Sequence, residues 1–464
     1  MKKYILFSIM VLALFANCSD ELEDVNENPN ETEDPISDYV LTATEKAFGD
    51  VLMSYAMGYH GAMLWVQHWG DINYPSTDRY EVTTEDFTTL WDDGYATIMT
   101  NMDGIIEKAE NDAWVGVASI IRSWIFYEIT TAYGYVPYTE AGKSSTPKYD
   151  SQETIFLGLN EDLKEAVALI DPDGDDEIGG DLIYDNDLDK WIRFGNSLRL
   201  RIALTISDRD ATTAKEIIAD VKDDVLESND DIARFYYTSY PQSNPYYSSV
   251  IYGERYDYAV SEQMITTLEE LDDPRLYVYA EPTGNDPTVY VGIKNGNSSE
   301  KGAVSMPGSI FEQDSSPALF FTYAEVLFAK AEAVARGLLS GDAEDYYEQG
   351  IRASLEQYDI SEDEITAYLA NDAVAYDASN YKKSIGTQKW LALYTQSLDA
   401  FTEWRRLDYP ELEPADNSML GDGEMPLRFY YPGTEQTLNG NSYKEAIEEQ
   451  GSESLTTRLW FDVY

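Results

Sequence analysis

Nucleophilic and metal chemistry have little to work with in this chain. Its 464 residues hold two histidines, His60 and His68, and one cysteine, Cys18. On a helix, residues eight apart lie ~80° apart around the axis, too splayed for a metal pair, so both histidines read as ordinary, partly buried side chains. No Gly-x-Ser-x-Gly, His-Glu-x-x-His, P-loop or Gly-x-Gly-x-x-Gly stretch occurs. The 86 acids are more than enough for the two carboxylates of a glycosidase, but among so many a chance pair carries no information. No alternation of strand and helix patterns accompanies them. The balance favours binding over catalysis, and no residue is assigned a catalytic role.

The residues that do combine into a coherent chemistry surround His68. Trp65, Trp69 and Tyr74 offer flat apolar faces of the kind that stack on sugar rings. Asp71, Asn73, Asp78 and Arg79 supply fixed hydrogen bonds that would orient such a ligand. Together they suit a carbohydrate cleft, the competing reading being that both tryptophans are core. A second candidate is the tyrosine-rich stretch 236–258. Tyr246, Tyr247, Tyr252 and Tyr256 are too many to be core in so proline-rich a segment. They stack on ligand, face a partner, or pack the loop on itself. A third stretch, residues 171–182, has acids at positions 1, 3 and 5 of a calcium-type loop. Asp176 and Leu182 stand where such a loop needs Gly and Glu, so a solvated acidic turn outweighs calcium, and no other cofactor is implied.

Helical periodicity supplies the elements that must position these residues. Trp91, Tyr95, Ile98, Met102, Ile105 and Ala109 alternate at spacings of four and three, one face of a helix. Val117, Ile121, Trp124 and Ile125 predict a second helix ending before Gly134. Ile155 to Ile170 predict a third, stopped by Pro172, and Trp191 to Thr205 a fourth. Phe320, Tyr323, Leu327, Ala331 and Val334 repeat the stripe, with Gly337 and a further helix from Ala343 behind it. Helical hairpins with small-residue and Tyr/Gly spacing are tetratricopeptide-like, though without a strict repeat. The expected fold class is therefore mostly α: TPR-like hairpins over about 85–206 and 318–408, with a loop-rich insertion over about 230–318. Long irregular segments in compact proteins are usually functional.

The first residues address the chain. Lys2 and Lys3 precede an apolar run, Tyr4 to Ala16, that is too short to span a bilayer and reads as a secretory signal. Ala16 and Asn17 lead to Cys18, which makes 1–17 a lipoprotein signal peptide and Cys18 the lipidated residue. Residues 18–39, acidic and turn-rich, read as a tether, and 40–464 as a single domain. Several acyl chains anchor firmly where one binds only reversibly. Lysine and arginine number 32 against the 86 acids, a formal charge of −54; removing 1–17 takes away Lys2 and Lys3 and no acid, giving −56. Phosphate backbones need clustered basic residues, so nucleic acid is excluded as a partner, and anionic lipid headgroups are repelled. With 43% hydrophobic and 13% aromatic residues the chain can nevertheless build a large core.

Several segments, in order along nearly the whole chain, resemble the SusD/RagB family of outer-membrane lipoproteins. They are Gly134-Tyr-Val-Pro-Tyr-Thr-Glu-Ala141, Asp181-Leu-Ile-Tyr184, the run Trp191 to Arg201, Asp273-Pro-Arg-Leu276, and Tyr323 to Ala333. Gln388-Lys-Trp390, Arg405-Arg406 and Arg428-Phe-Tyr-Tyr-Pro432, with Glu435 and Asn439, continue the series, and Asn28-Pro-Asn30 fits a branch of the family. Arg405 and Arg406 read as salt-bridge and capping residues. The resemblance implies a SusD-like fold, a binding rather than catalytic role, and capture of an oligosaccharide or a peptide. It also implies a partner, a SusC-like TonB-dependent transporter, over which the lipoprotein sits at the cell surface. On this reading Trp65, Trp69, Asp71, Asn73, Tyr74, Arg79, Tyr246 and Tyr252 are the ligand candidates. A TPR-type protein-interaction scaffold is the remaining alternative; it expects an open groove.

Overall fold

The computed structural model describes residues 37–54 and 61–464. The signal peptide, Cys18, most of the tether and His60 lie outside the described residues. The chain enters through helix α1 (Ser37–Leu52) and then winds five helices. In α2 the runs Thr88–Asp93, Gly94–Met99 and Thr100–Lys108 are continuous, the middle one with the wider π winding. It is followed by α3 (Asp112–Tyr133), α4 (Gln152–Leu169), α5 (Leu188–Ile206) and α6 (Ala211–Val221). Each of these packs on its predecessor. A second set comprises α8 (Tyr323–Ala335), α9 (Ala343–Glu356), α10 (Glu362–Leu369), α11 (Tyr381–Ala392) and α12 (Ser397–Leu407); α7 (Glu262–Glu270) lies between the sets.

Caps explain where these helices start. Side chains of Asn111, Ser151, Asp187, Asp210, Thr322 and Asp342 accept hydrogen bonds from the first-turn amides of α3, α4, α5, α6, α8 and α9. Ser361 and Glu364 form a reciprocal capping box at α10. The stripe that begins with Phe320 is helical only from Tyr323. Phe320 itself lies in strand β4 (Ala318–Phe321), because the Thr322 cap fixes the helix start after it.

The largest core reaches into both sets, and a second cluster around Phe328, Tyr347 and Ile351 lies within the later one. The ring of Phe48 on α1 stacks on Trp124 of α3 at 3.7 Å, and Phe320 meets the same indole at 4.8 Å. Glycine permits close helix approach: a Cβ at Gly195 on α5 would lie 2.7 Å from Val167 of α4. Buried ion pairs then tie the sets together. Arg201 on α5 bonds Glu325 on α8 at 2.8 Å and Asp399 on α12 at 2.8 Å, with Glu128 on α3 at 3.4 Å. Arg406 on α12 holds Glu332 on α8 at 2.5 Å and Glu403 at 2.6 Å, and Lys389 on α11 reaches Glu403 at 2.8 Å. Burial alone would raise Glu403, but Arg406 and Lys389 hold it well below the usual carboxylate range. Arg405 donates to the carbonyls of Phe401 and Leu427.

Two short antiparallel ribbons organise the irregular part. Strand β2 (Ala233–Phe235) pairs with β4, which brings together the two ends of the excursion 236–317. Strand β1 (Trp69–Asp71) pairs with β3 (Tyr258–Val260), setting Trp69 opposite Val260 and Asp71 opposite Tyr258.

Candidate ligand-binding site

The β1–β3 ribbon brings two distant stretches side by side, the loop after β1 and the tyrosine-rich segment before β3. Asp71 ends β1 and turns the chain: its Oδ1 accepts the amides of Asn73 at 2.8 Å and Tyr74 at 2.6 Å. That turn leaves Asn73 and Tyr74 in water, with Tyr74 58% exposed. From the other stretch, Asp257 accepts from Asn73 Nδ2 at 2.9 Å and pairs with Arg255 at 2.8 Å, and the Arg255 guanidinium lies 5.8 Å from the centre of the Tyr74 ring. Arg255 follows Tyr252 by three residues.

Residues Tyr247–Ile251 wind as a π turn, in which the amide of Tyr252 bonds the carbonyl of Tyr247 at 2.8 Å. A five-residue repeat places residues 247 and 252 on one side of that turn. The outer ring, Tyr252, stacks on Tyr240 at 4.7 Å with only 12° between their planes, and Tyr247 lies 6.4 Å from Tyr252. Tyr240 and Tyr252 are 55% and 60% exposed, so their outer faces are open to solvent. Nearby Tyr256 is capped by the Lys301 ammonium at 3.0 Å. The result is a shelf of exposed or half-exposed tyrosines flanked by Asn73, Arg255 and Lys301.

Four of the eight expected ligand contacts are not on this shelf. Trp65 and Trp69 are 0% and 1% exposed. Trp65 donates to the Thr77 carbonyl and packs edge-on against Tyr80, Phe87, Phe401 and Phe429. Trp69 donates to the Tyr394 hydroxyl at 2.6 Å and lies against Tyr246, itself buried, at 5.0 Å. Asp71 is buried beneath its own turn. None of the four is on the face: Trp69 and Asp71 lie on β1, which is covered on both sides, Tyr246 packs on Trp69, and Trp65 belongs to the aromatic core of Phe87, Phe401 and Phe429. Asn73, Tyr74 and Tyr252 are exposed, and Arg79 is half-exposed with its Nε on the Gly296 carbonyl at 2.8 Å. Tyr240 and Arg255 complete the surface; both fall inside the candidate stretch 236–258, though neither is among its four named tyrosines. Pro241, next to Tyr240, was the available signal that this ring stays out of regular structure.

Buried carboxyls stiffen the floor. Asp78 accepts from the Asp71 amide at 2.8 Å and from Asn295 Nδ2 at 2.5 Å. Burial pushes Asp78 up to about 7 and Asp71 to about 6, against the hydrogen bonds that lower them. His68 is fully buried against Trp390 and Tyr394, and burial takes its imidazole down to about 3. Behind the floor a polar cavity of about 500 Å³ is lined by Gln67, Lys294, Asn295, Glu413 and Asp416. In the 171–182 stretch, Asp171 turns its own loop by accepting the Asp173 amide, while Asp181 accepts the amides of Ile183, Tyr184 and Asn186. Among the described residues no three ligand-type side chains gather where they could hold a metal ion.

A helical scaffold that presents an aromatic shelf on an irregular face is the build of a binding protein. The chain belongs to the SusD-like family, described as starch-binding and associating with the outer membrane, whose model matches residues 29–432. Among solved structures, a chitin-binding protein is similar at 30% identity and a TM-score of 0.84, over 92% of this chain and all of that one. A SusD homologue from Bacteroides uniformis shares the fold at 24% identity and a TM-score of 0.83, over 92% of this chain and 100% of its own. So does a chitin-binding SusD homologue from Flavobacterium johnsoniae, at 23% and 0.79, over 91% and 99%. No curated protein gave a match. No helix among the described residues is long and apolar enough to cross a membrane.

Proposed function

We propose that this protein captures an oligosaccharide at the cell surface on the tyrosine shelf and delivers it to a SusC-like TonB-dependent transporter, held at the outer membrane by lipid on Cys18. The observation that carries the reading is the parallel-stacked, solvent-open pair Tyr240–Tyr252. Exposed parallel rings backed by a rigid floor offer the apolar face of a sugar a flat partner at little entropic cost. Asn73 and Arg255, joined through Asp257 beside Tyr74, supply groups able to bond hydroxyls. Similarity to a chitin-binding protein favours glycan over peptide. The shelf carries no catalytic duty in this reading.

The test is calorimetric titration with chitin- and starch-derived oligosaccharides, set beside acidic and neutral peptides. A glycan is expected to bind, and Tyr252→Ala is expected to weaken it about thirtyfold, the effect of losing an aromatic anchor worth ~2 kcal/mol. Unchanged glycan affinity in Tyr252→Ala and Tyr240→Ala would remove the shelf from the site. Binding of peptides alone would replace the ligand class.

A further inference from the structure

Away from the shelf, a cavity of about 350 Å³ opens between α6 and the turn that joins α8 to α9. Lys215 and Lys222 enter it from α6 and the residue after it, Lys330 from α8, Leu339 and Ser340 from the turn, and Tyr346 from α9. On a chain with 86 acids and 32 bases, three ammonium groups around one hollow are unusual. The cavity behind the shelf has Glu262, Glu413 and Asp416 against Lys294 alone, and the one beside Arg405 balances Arg405 and Arg458 with Asp408 and Glu424. Here the one acid in the wall, Asp223, is already paired with Lys222.

Lys330 is the informative group. It is half-buried, and among the described residues its ammonium makes no ion pair or side-chain hydrogen bond; it lies 6.0 Å from the centre of the Tyr346 ring. Lys215 reaches only the Gly337 carbonyl, at 3.4 Å. Burial pulls Lys330 below the usual lysine range, against the attraction of Asp223 and Glu227. A partly desolvated ammonium with no acceptor among the described residues gains from an anion that takes its N–H groups. Apart from Ser340, the remaining wall is apolar: Ala219, Leu338, Leu339 and the Tyr346 ring. A positive floor with an apolar side matches a small molecule bearing an oxyanion on one end and a flat carbon face on the other, and the volume lies within the range of small-ligand sites.

We propose that this cavity is a second binding site, distinct from the tyrosine shelf, for a small molecule carrying a carboxylate, phosphate or sulfate group. The three oxyanions share the chemistry that Lys215, Lys222 and Lys330 recognise, and their order of affinity names the source.

The experiment titrates the protein with inorganic phosphate, inorganic sulfate, glucuronate and glucose by calorimetry in a buffer free of other oxyanions. At least one anion is expected to bind saturably while glucose does not. Lys330→Gln is expected to weaken that anion about tenfold or more, the usual effect of removing a charged hydrogen bond. Lys330→Arg, which keeps the charge, is expected to retain binding within a few-fold. Because Lys330 makes no ion pair or hydrogen bond among the described residues, the melting temperature without ligand should hardly drop. If Lys330→Gln fails to fold, the double variant Lys215→Gln/Lys222→Gln at the rim makes the same measurement. Tyr252→Ala should leave anion binding intact, so failure here and failure of the shelf are separable. Absence of saturable binding by all three anions, equal binding of glucose, or undiminished affinity in the glutamine variants would each overturn the site.

Discussion

At the scale of single residues, the same side-chain type performs opposite duties a few positions apart. Trp69 and Tyr246 are floor, whereas Tyr240 and Tyr252 are face. Trp69→Ala should therefore cost ~3–5 kcal/mol of stability, as for a large core aromatic, read as an earlier melt. Below that melt its ligand affinity should stay near that of the wild type, the reverse of Tyr252→Ala. The sequence around Trp69 could not decide this. Left-handed backbone at Gln67, with φ 56°, reverses the chain after the Met63–Trp65 turn, and the partner covering β1 comes from residues 258–260. Composition did mark Tyr74 and Tyr252, because a polar or proline-rich stretch cannot bury every ring. Asp78 adds a pH test. Its folded value of about 7, raised by burial, means that its contribution is fully present below about pH 4 and is lost as pH rises through about 7. Asp78→Asn keeps an acceptor for the Asp71 amide without that ionisation. Melting curves from about pH 5 to about pH 8 should then move in the variant's favour as pH rises. A pH-independent difference would assign Asp78 no protonation in the fold.

At the scale of elements, periodicity revealed what local chemistry determines. The stripes over Trp91–Ala109 and Val117–Ile125 are α2 and α3, and the small and Tyr/Gly positions after Ala329 form the α8–α9 pair. What joins the elements was far less visible. Arg201, Glu128, Glu325 and Asp399 come from four helices, and with 86 acids in the chain no spacing singles out the three that are buried. Arg405 and Arg406 were readable as structural because they close a helix. Removing one partner of a buried network leaves the others charged and dry, at about 3–5 kcal/mol. Arg406→Met, which leaves Glu332 to Arg336 alone and Glu403 to Lys389 alone, is expected to destabilise by that amount in denaturant titration. A loss near the ~0–1 kcal/mol of a surface pair would show that α8, α11 and α12 do not depend on the network.

For the whole molecule, anchorage and partnership are the matters to test. Cys18→Ala should shift the protein from membrane to soluble fractions if lipid on that residue holds it. In gentle detergent the native protein should bring a β-barrel with it. A variant that still pellets without its transporter would sink the anchor reading, and a protein recovered always alone would count against the delivery reading. The SusD-like fold was legible because ordered short motifs persist along most of the chain even where each is weak. The shelf was legible only as a region, since its members lie on stretches that meet through β1 and β3.

The stacked pair Tyr240–Tyr252 has a consequence in optics. Two phenol rings held 4.7 Å apart and nearly parallel have coupled electronic transitions, so together they absorb polarised light differently from two separate rings. A sugar settling on the outer face leaves that coupling in place, while a ring wedged between the two abolishes it. The near-ultraviolet circular dichroism of the unmodified protein, minus that of Tyr240→Leu, thus distinguishes a ligand that lies on the shelf from one that opens it.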